Sequence, residues 1–463
     1  MSTLVMKFGG TSVGMTTGLS QVLSIVLYEH ERWGNLILVV SALEGVTDAL
    51  IEAAHLAQLN NQRGYRRIVA TLRTRHLALI EHLPLGSTEK SALQADLDRL
   101  LFDMLDVCRS VTEQHDETVK PEIADKIVQV GERLAARIVA ALLRQNNLRG
   151  VAIDATDLII TDNAYGNAVP DLGLTRERIA ANLTPLLKRG IIPVVTGYIG
   201  SSITGTPTTL GRGGSDYTAS ILAASADAQE VWVWTDVDGL MTTDPRESDD
   251  ARVIPSLSYE ETAELAYFGA RILHPRMIAP LRERSIPLRV RNVYKPQQSG
   301  TLVREKAASM QPAIRAVTAI QGLGMSTMSS SPVAKIAELV DERLFKVSGS
   351  QALMICSQSS AQSFVAFVIP TTAGPDALHS LLITVNESPI TSNWNSRAVS
   401  VVTAIGSRFD EIHRLTSEVL LMLEGIPILA LAQGPSGCSL SVVVETQYGE
   451  TAASRIHNVI LKR

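Results

Sequence analysis

The stretch MKFGGTSVG, Met6–Gly14, lies almost at the amino terminus and overlaps a short apolar run, Leu4–Phe8. A lysine followed by two glycines suggests an anion site, because glycine lets backbone N–H groups approach a ligand closely. The order differs from a P-loop, in which the lysine follows the glycines. The spacing of Gly9, Gly10 and Gly14 also differs from the G-x-G-x-x-G dinucleotide fingerprint. The stretch therefore predicts a buried strand that ends in an anion-binding turn of another kind.

The composition favours a large protein with small-molecule rather than nucleic-acid partners. The chain has 463 residues, of which 45% are hydrophobic and 4% aromatic, so two or three domains with mainly aliphatic cores are expected. The net charge of −5 gives no reason to expect nucleic acid or an anionic membrane as a partner. The longest apolar runs are strand-sized and too short to span a bilayer. Three scattered cysteines form no metal-ligand pattern and suit a reducing cytoplasm.

Strand-like and helix-like segments alternate over residues 1–303. Apolar runs of strand length occur at Asn35–Ala42, Gly190–Gly200 and Glu230–Gly239, whereas Glu122–Gln145 has helical spacing interrupted by Gly131. This alternation predicts a mainly parallel sheet with helices on both faces. Ligands of such sheets lie beyond the carboxyl ends of the strands. The glycine- and aspartate-bearing turns of this chain fall at those positions.

The chain repeats itself after residue 312. Three pairs of landmarks share one offset of 75 residues: Ser331 and Gly406, Gln358 and Gln433, Val365 and Leu440. Each copy is predicted to run strand, helix, strand, strand, with Ser331–Leu344 and Gly406–Leu420 as the paired helices. Three landmarks in one register favour two copies of a small α/β module over chance similarity.

Several turns each allow a structural and a functional interpretation. Leu210–Ser220 carries three glycines, Arg212 and Asp216, and is either a tight turn with a capped helix or a site for a phosphate or carboxylate. Trp234–Arg246 is either an Asx-type turn or the edge of a nucleotide site. Taken singly, neither stretch decides between the two interpretations.

A glutamate beside a mid-helix glycine is the next candidate. Gly131 costs about 1 kcal/mol relative to alanine in a helix, so something is expected to approach it closely. Glu132 beside it is either a ligand-binding carboxylate or half of a salt bridge on a solvated face. His274 precedes a proline and is interpreted as structural. No Ser–His–Asp or metal-ligand pattern emerges, and glycine-rich, cation-bearing turns at strand ends fit phosphoryl transfer.

Seven stretches taken together resemble the aspartate kinases of the amino acid kinase superfamily. They occur in the family's order: MKFGGTSVG, VVSALEGVT, VGERLAA, TLGRGGSDYTA, WTDVDGLMTTDPR, YFGARILHPR and NVYKPQQSGTLV. The resemblance covers essentially the whole chain. It implies an α/β fold, a three-layer αβα sandwich around a mainly parallel eight-stranded sheet, followed by two α+β ACT modules of ferredoxin-like type. The implied domains are residues 1–303 (catalytic), 312–385 (first ACT) and 386–463 (second ACT).

The resemblance also implies a reaction and its partners. ATP and L-aspartate give 4-phospho-L-aspartate with Mg²⁺, the first step toward lysine, threonine and methionine. A cytoplasmic homodimer, or a higher homo-oligomer, formed through the ACT modules is expected, with lysine or threonine as feedback effector. The two amino acids are not distinguished by the sequence. A dinucleotide fingerprint does not follow the second repeat, so a fused homoserine dehydrogenase is not expected in the sequence given.

The family's functional positions map onto this chain as follows. Catalytic positions are Lys7 and Asp216, and aspartate-binding positions are Thr47, Glu132, Arg212 and Ser215. Nucleotide-binding positions are Lys7, Gly9, Gly10, Thr235, Asp236, Met241, Arg246 and Arg271, and effector positions are Gln358 and Gln433. In this scheme an arginine takes the α-carboxylate of aspartate, a glutamate takes its ammonium, and the β-carboxylate attacks without a general base because it is already ionised.

The chain departs from the family at two nucleotide positions. Met241 stands where a tyrosine is usual, which removes a hydroxyl contact, and Arg271 stands where a lysine is usual.

The residues allow two alternatives to an active aspartate kinase. A glutamate or acetylglutamate kinase is disfavoured by the Glu132 motif and the ACT pair. A non-catalytic amino-acid sensor is disfavoured because Lys7, Arg212 and Asp216 are all present.

Overall fold

The computed structural model describes residues 2–113, 121–211, 213–269, 273–306, 312–328, 333–348, 352–369, 373–374 and 376–462. The chain divides into two compact units. The first comprises Met1–Asp238 and Arg276–Leu302, and the second comprises Gly239–Pro275 and Val303–Arg463. Residues 239–275 thus group with the carboxy-terminal part of the chain. The domain limits at 303, 312, 385 and 386 remain predictions from sequence.

A large sheet of eight strands dominates the amino-terminal part of the chain. The strands up to residue 304 are β1 (Thr3–Phe8), β2 (Asn35–Val40), β3 (Gly150–Ile153), β4 (Ile160–Thr161), β5 (Ile192–Thr196), β6 (Ile199–Ser202), β7 (Pro207–Thr209), β8 (Glu230–Thr235), β9 (Ser256–Ser258), β10 (Leu288–Asn292) and β11 (Thr301–Arg304). The large sheet has the order β3-β5-β2-β1-β8-β10-β11-β9, and its pairs from β3 to β10 are all parallel. A smaller sheet has the order β4-β6-β7. The predicted α/β fold with a mainly parallel eight-stranded sheet is confirmed.

Helices surround the parallel strands. Those up to residue 283 are α1 (Gly10–Val13), α2 (Thr16–His30), α3 (Val46–Gln58), α4 (Gln62–His82), α5 (Ser87–Glu113), α6 (Pro121–Val128), α7 (Val130–Gln145), α8 (Leu172–Asn182), α9 (Thr184–Lys188), α10 (Gly214–Ser225), α11 (Tyr259–Tyr267) and α12 (Ile278–Glu283). Leu4, Met6 and Phe8 of β1 share one core with residues of α2 to α7. Successive side chains of a strand point to opposite faces, so Lys7 points away from that core.

Three neighbouring strands end at one edge of the sheet. Phe8 at the end of β1 pairs with Val40 of β2 on one side and with Trp234 of β8 on the other. The turns after β1, β2 and β8 therefore start side by side. Because β1 connects to β2 on one side and has β8 on the other, this edge is the switch point at which α/β sheets bind ligands.

The second unit contains a six-stranded antiparallel sheet. Its later elements are β12 (Ile314–Thr327), α13 (Ala334–Ser348), β13 (Leu353–Gln358), β14 (Ser363–Val368), α14 (Ala377–Glu387), β15 (Asn395–Gly406), α15 (His413–Met422), β16 (Ala430–Gln433), β17 (Ser439–Glu445) and α16 (Gly449–Leu461). The strand order is β13-β14-β12-β15-β17-β16, with β12 and β15 paired at the centre. The two copies run β12–β14 and β15–β17, which matches the predicted strand, helix, strand, strand order. Each copy carries a further helix, α14 or α16, that the sequence analysis had not included.

One predicted helix begins later than expected. The stretch Gly406–Leu420 was interpreted as helical, but β15 continues to Gly406 and α15 starts at His413. Between them, the Arg408 guanidinium pairs with Asp410, and Phe409 N–H donates to the Gly437 carbonyl oxygen at 2.7 Å. These bonds stabilise an irregular turn before α15. The Phe409 N–H already has a hydrogen-bond partner in this turn and does not need one in a helix.

Both faces of the six-stranded sheet are covered. Val402 and Ala404 of β15 pack under α15 and α16, whereas the alternating Val399 and Val401 join a separate cluster that includes Phe268 at the end of α11. Residues 239–275 therefore supply part of the core of the second unit. Within the part of the chain that the structure describes, no helix combines the length and the apolar character needed to cross a membrane.

Candidate active site

Lys7 and Asp216 form an ion pair at the carboxyl end of β1. The Lys7 Nζ lies 2.6 Å from Asp216 Oδ1, and the two side chains are only 12% and 7% exposed. Asp216 lies in the first turn of α10, where a carboxylate interacts favourably with the helix dipole. Its Oδ1 accepts no well-directed hydrogen bond from the described residues, so the contact is a charge pair. The structure thus brings the two predicted catalytic side chains together.

The glycines after Lys7 have different structural roles. A Cβ on Gly10 would lie 2.8 Å from the Ala42 carbonyl oxygen and 3.1 Å from the Glu44 nitrogen, so only glycine lets these two turns touch. A Cβ on Gly9 would make ordinary contact with the Lys7 Nζ at 3.6 Å. Gly10 therefore lets the turns after β1 and β2 contact each other. At Gly9 the backbone lies beside the Lys7 ammonium group with no side chain between them.

Glu132 is buried, and the solvated salt bridge considered for it is wrong. It lies in the first turn of α7 and is 2% exposed. Its Oε1 accepts the Ala42 N–H at 3.3 Å, and its Oε2 has no hydrogen-bond partner among the described residues. Burial raises the pKa of this carboxyl to about 8, although the Ala42 N–H acts in the opposite direction. An unsatisfied carboxyl oxygen of this kind is suited to receive a cationic group of a ligand.

Gly131 explains how Glu132 reaches this position. A Cβ there would lie 2.7 Å from Ala42 Cβ and 3.1 Å from Val46 Cγ1, so α7 approaches the turn after β2 more closely than alanine allows. The close approach expected from the mid-helix glycine is therefore present. It sets the distance between Glu132 and the Ala42 N–H.

Gly131→Ala is expected to destabilise the protein despite the better helix propensity of alanine. The gain of about 1 kcal/mol in propensity is outweighed by overpacking, which costs about 1–3 kcal/mol. The variant should also show a higher KM for any substrate that contacts Glu132, because α7 must move away from Ala42. Denaturant unfolding and steady-state kinetics measure both effects. Gly173→Ala on α8 is the control, since its added Cβ would meet the Asp171 carboxylate no closer than 3.3 Å. A Gly131→Ala protein more stable than the wild type would contradict the packing argument.

A cavity of about 260 Å³ collects most of the predicted substrate residues. The residues that line it are Lys7, Ser41, Thr47, Asp48, Ile51, Glu132, Tyr198, Gly213, Gly214 and Ser215. Thr47 lies in the first turn of α3 and Ser215 in the first turn of α10. Two helix starts, one strand end and one buried carboxyl therefore converge on the same volume.

Tyr198 and Asp48 line the cavity but were not among the predicted site residues. Tyr198 follows β5 and has φ +71°, an uncommon conformation for a non-glycine residue that is frequent at ligand sites. A tyrosine between two glycines at a strand end was the available sequence signal. Asp48 stood in a helical pattern, where a polar residue gives no hint of a cavity.

The turn after β8 is held by a small polar network. Thr235 Oγ1 donates to Asp236 Oδ1 at 3.1 Å, and Asn292 Nδ2 donates to the Asp236 carbonyl oxygen at 3.2 Å. Lys295 Nζ lies 2.8 Å from Asp238 Oδ2, and this hydrogen bond lowers the pKa of the Asp238 carboxyl. The two predicted nucleotide residues, Thr235 and Asp236, thus lie on an ordered turn one strand from Lys7. Asn292 and Lys295, in the quoted NVYK motif, were not singled out.

The remaining predicted substrate and nucleotide residues belong to the second unit or lie outside the described residues. Met241 is half-buried and pairs with Val253 across a short bridge. The Arg246 guanidinium is exposed and holds Asp244 through two hydrogen bonds, at 3.0 and 2.5 Å. Arg212 and Arg271 fall outside the residues that the structure describes. Their roles remain predictions.

The predicted effector residues occupy equivalent places in the two repeats. Gln358 is the last residue of β13 and Gln433 the last of β16, and both are exposed. β13 and β16 are the first and last strands in the order of the six-stranded sheet. The pairing predicted at an offset of 75 residues therefore corresponds to equivalent strand ends.

The sequence model described as "Amino acid kinase family" matches residues 2–292 of the chain, which contain this cavity. The chain belongs to the amino acid kinase family. Among its relatives in this family, Lysine-sensitive aspartokinase 3 of Escherichia coli (strain K12) is 28% identical over 459 residues, 98% of each protein.

Two solved structures of amino acid kinases resemble this one over nearly the whole chain. E. coli aspartokinase III in complex with aspartate and ADP (R-state) has a TM-score of 0.80 at 26% identity, covering 99% of both chains. The same enzyme with lysine and aspartate (T-state) has a TM-score of 0.78 at 27% identity, covering 98% of this chain and 99% of the other. The fold of this family member therefore includes the ACT-like carboxy-terminal region.

Proposed function

We propose that this amino acid kinase is an aspartate kinase. It transfers the γ-phosphoryl group of ATP to the β-carboxylate of L-aspartate, so that a new P–O bond forms 4-phospho-L-aspartate and the bond to ADP breaks. The observation that carries the proposal is the Lys7–Asp216 ion pair on the cavity that also contains the buried Glu132. The likeness to a relative solved with aspartate and ADP supports this pair of substrates.

The cavity offers complementary groups to an amino acid with two carboxylates. Glu132 takes the α-ammonium, because its Oε2 lacks a hydrogen-bond partner among the described residues and a cation favours the ionised form of a buried carboxyl. Thr47 and Ser215 present hydroxyl groups at two helix starts. Arg212, two residues before the start of α10 in the sequence, is proposed to take the α-carboxylate with its planar guanidinium. The β-carboxylate is then left to face Lys7.

The chemistry requires charge neutralisation rather than a general base. The β-carboxylate of aspartate is ionised at neutral pH, so no proton has to be removed before it attacks. Two anions must instead be held together, and Lys7 supplies the positive charge between them. Asp216 fixes the position of the Lys7 Nζ through the 2.6 Å contact. The Gly9 backbone lies beside this ammonium group, and the N–H groups of Gly9 and Gly10 are proposed to contact the phosphoryl group.

The nucleotide is proposed to bind at the turn after β8 and its neighbours. Thr235 and Asp236 are proposed to order the nucleoside end, and Met241, Arg246 and Arg271 are proposed, from the family resemblance alone, as further nucleotide-binding residues. Among the described residues, no group of three carboxylate, histidine or cysteine side chains could hold a metal ion by itself. This arrangement is compatible with Mg²⁺ that is bound mainly by the phosphates of ATP, which is how magnesium usually binds in kinases. Bound there, Mg²⁺ would neutralise phosphate charge.

The carboxy-terminal repeats are proposed to regulate the reaction. Lysine or threonine would bind near Gln358 and Gln433, and the lysine sensitivity of the E. coli relative supports lysine as the first candidate. The repeats are also proposed to form a homodimer or a higher homo-oligomer. In this proposal the enzyme acts in the cytoplasm, at the first step of lysine, threonine and methionine synthesis.

A hydroxylamine-trapping assay with Mg-ATP tests the proposal. The protein is expected to form the acyl phosphate with aspartate, and with glutamate about 10²-fold less efficiently, because one methylene moves the attacking carboxylate. Added lysine or threonine should lower the rate with aspartate. Equal turnover of glutamate would redirect the assignment to another amino acid kinase. Amino-acid binding without any acyl phosphate would identify a sensor.

A further inference from the structure

A second and larger cavity lies within the second compact unit. Its volume is about 560 Å³, within the range typical of small-molecule sites. Three arginines line it, namely Arg252, Arg315 and Arg414. None of the described residues that line it is acidic. The site described above does not use this cavity.

Carboxylates lie near two of these arginines. Arg414 lies 3.6 Å from Glu418 and is 68% exposed. Arg315 lies 4.0 Å from Glu261. The Arg252 guanidinium forms no hydrogen bond or ion pair with a described side chain, whereas its backbone N–H donates to Thr242 Oγ1 at 3.0 Å. The described lining of the cavity therefore presents three cationic groups and no carboxylate.

The walls between the arginines are apolar and belong to different elements. Ile254 comes from the segment before α11, Ile314 from the start of β12 and Ile460 from α16. A ligand that fills the cavity would therefore bury an apolar body while its charged end meets the guanidinium groups.

The cavity is preformed by backbone and side-chain bonds. Thr242 N–H donates to the Arg252 carbonyl oxygen at 2.9 Å, and the Thr242 carbonyl oxygen accepts the Val317 N–H at 2.9 Å. Thr242 Oγ1 also lies 2.8 Å from His457 Nε2 of α16. The segment that carries Arg252 is thus fixed to both β12 and α16, and a ligand would not have to order it.

We propose that this cavity binds a small organic anion, in which a phosphate or carboxylate group contacts Arg252, Arg315 and Arg414 and an apolar portion packs against the isoleucines. Bidentate arginine contacts suit both kinds of oxyanion. The ligand needs no ammonium group, since none of the described lining residues carries a carboxylate. All lining residues belong to the second unit, and none of them lines the kinase cavity.

Calorimetric titration of the full chain with phenyl phosphate, benzoate, inorganic phosphate and benzyl alcohol tests the proposal. Phenyl phosphate and benzoate are expected to bind, and the tighter of the two identifies the head group. Inorganic phosphate should bind more weakly than phenyl phosphate because it lacks the apolar body. Neutral benzyl alcohol should bind at least about tenfold more weakly than phenyl phosphate because it lacks the charge. An affinity for benzyl alcohol equal to that for phenyl phosphate would overturn the proposal, as would failure of both aromatic anions to bind at millimolar concentration.

Variants locate the binding site. Arg252→Ala with Arg414→Ala is expected to weaken phenyl phosphate binding about tenfold or more. Arg397→Ala is the matched control, because Arg397 is an exposed arginine of the same unit that pairs with Glu445 and does not line the cavity. Lys7→Met should bind the compound as the wild type does. Loss of binding in Lys7→Met with full binding in the double variant would place the compound at the kinase cavity and sink the inference.

Discussion

Replacing Lys7 by methionine is expected to lower kcat by about 10³-fold or more. Methionine keeps the length of the side chain but not the charge that holds the attacking carboxylate and the phosphoryl group together. The effect should appear in kcat at saturating ATP and aspartate, because the charge is needed most as the phosphoryl group transfers. Acyl-phosphate formation measures it directly. A Lys7→Met protein within tenfold of the wild-type kcat would refute the role proposed for Lys7.

The same variant needs a control for stability. Without Lys7, the largely buried Asp216 carboxylate loses its ion-pair partner, which costs up to about 3–5 kcal/mol. Lys7→Met combined with Asp216→Asn removes both charges, and is expected to recover most of that stability while remaining inactive. Thermal unfolding and the rate of acyl-phosphate formation, measured on both variants, separate the charge effect on catalysis from the effect on folding.

Glu132→Gln is expected to raise the KM for aspartate about 10- to 100-fold, with a smaller change in kcat. Glutamine keeps the shape of the side chain and can accept the Ala42 N–H, but it cannot pair with the ammonium group as an anion. Glu52→Gln, an exposed position on α3, is the matched control. A Glu132→Gln enzyme with an unchanged KM for aspartate would rule out the ammonium contact.

The pKa of Glu132 adds a pH dependence that this variant should remove. With a pKa of about 8 in the free site, the carboxyl is mostly protonated at pH 7, and ammonium binding requires the ionised form. The kcat/KM for aspartate should therefore rise with pH and level off above about 8 in the wild type. In Glu132→Gln this rise should be absent. Parallel pH profiles in the two proteins would show that another group titrates.

Glu132 also makes stability fall as pH rises. The folded-state pKa of about 8 exceeds the ordinary value of 4.5, so the native state retains a proton that the unfolded chain releases. Its contribution to stability is fully present below about pH 4.5 and is lost as pH rises toward 8, at about 1.4 kcal/mol per unit of pKa difference. Unfolding of Glu132→Gln should lack this decline. Denaturant titrations between pH 5 and 8 test the difference.

The sequence was sufficient to predict the parallel sheet and the position of Lys7, because both depend on local patterns. The apolar run of β1 ends at the glycines, and register with β2 and β8 then places Lys7 at the switch point. The repeat was visible for the same reason, since equivalent strands need equivalent patterns. Sequence periodicity thus identified the elements and the edge at which the site lies.

The burial of Glu132 could not be read from the sequence. A glutamate beside a glycine in a helical pattern is compatible with solvent exposure, and only the packing of α7 against Ala42 and Val46 excludes water. The same limit applies to Tyr198, whose positive φ depends on the surrounding turns. It also applies to the start of α15, because the bond from the Phe409 N–H to the Gly437 carbonyl oxygen joins residues that are far apart in the sequence.

The path of the chain constrains how such a protein could exchange its carboxy-terminal part during evolution. The backbone passes between the two units three times, after Asp238, Pro275 and Leu302. A recombination point near residue 303 would separate the six-stranded sheet from Tyr267 and Phe268, which help to cover one of its faces. The two repeats therefore cannot be exchanged by themselves. A sequence acquired by recombination has to replace residues 239–275 together with the two repeats.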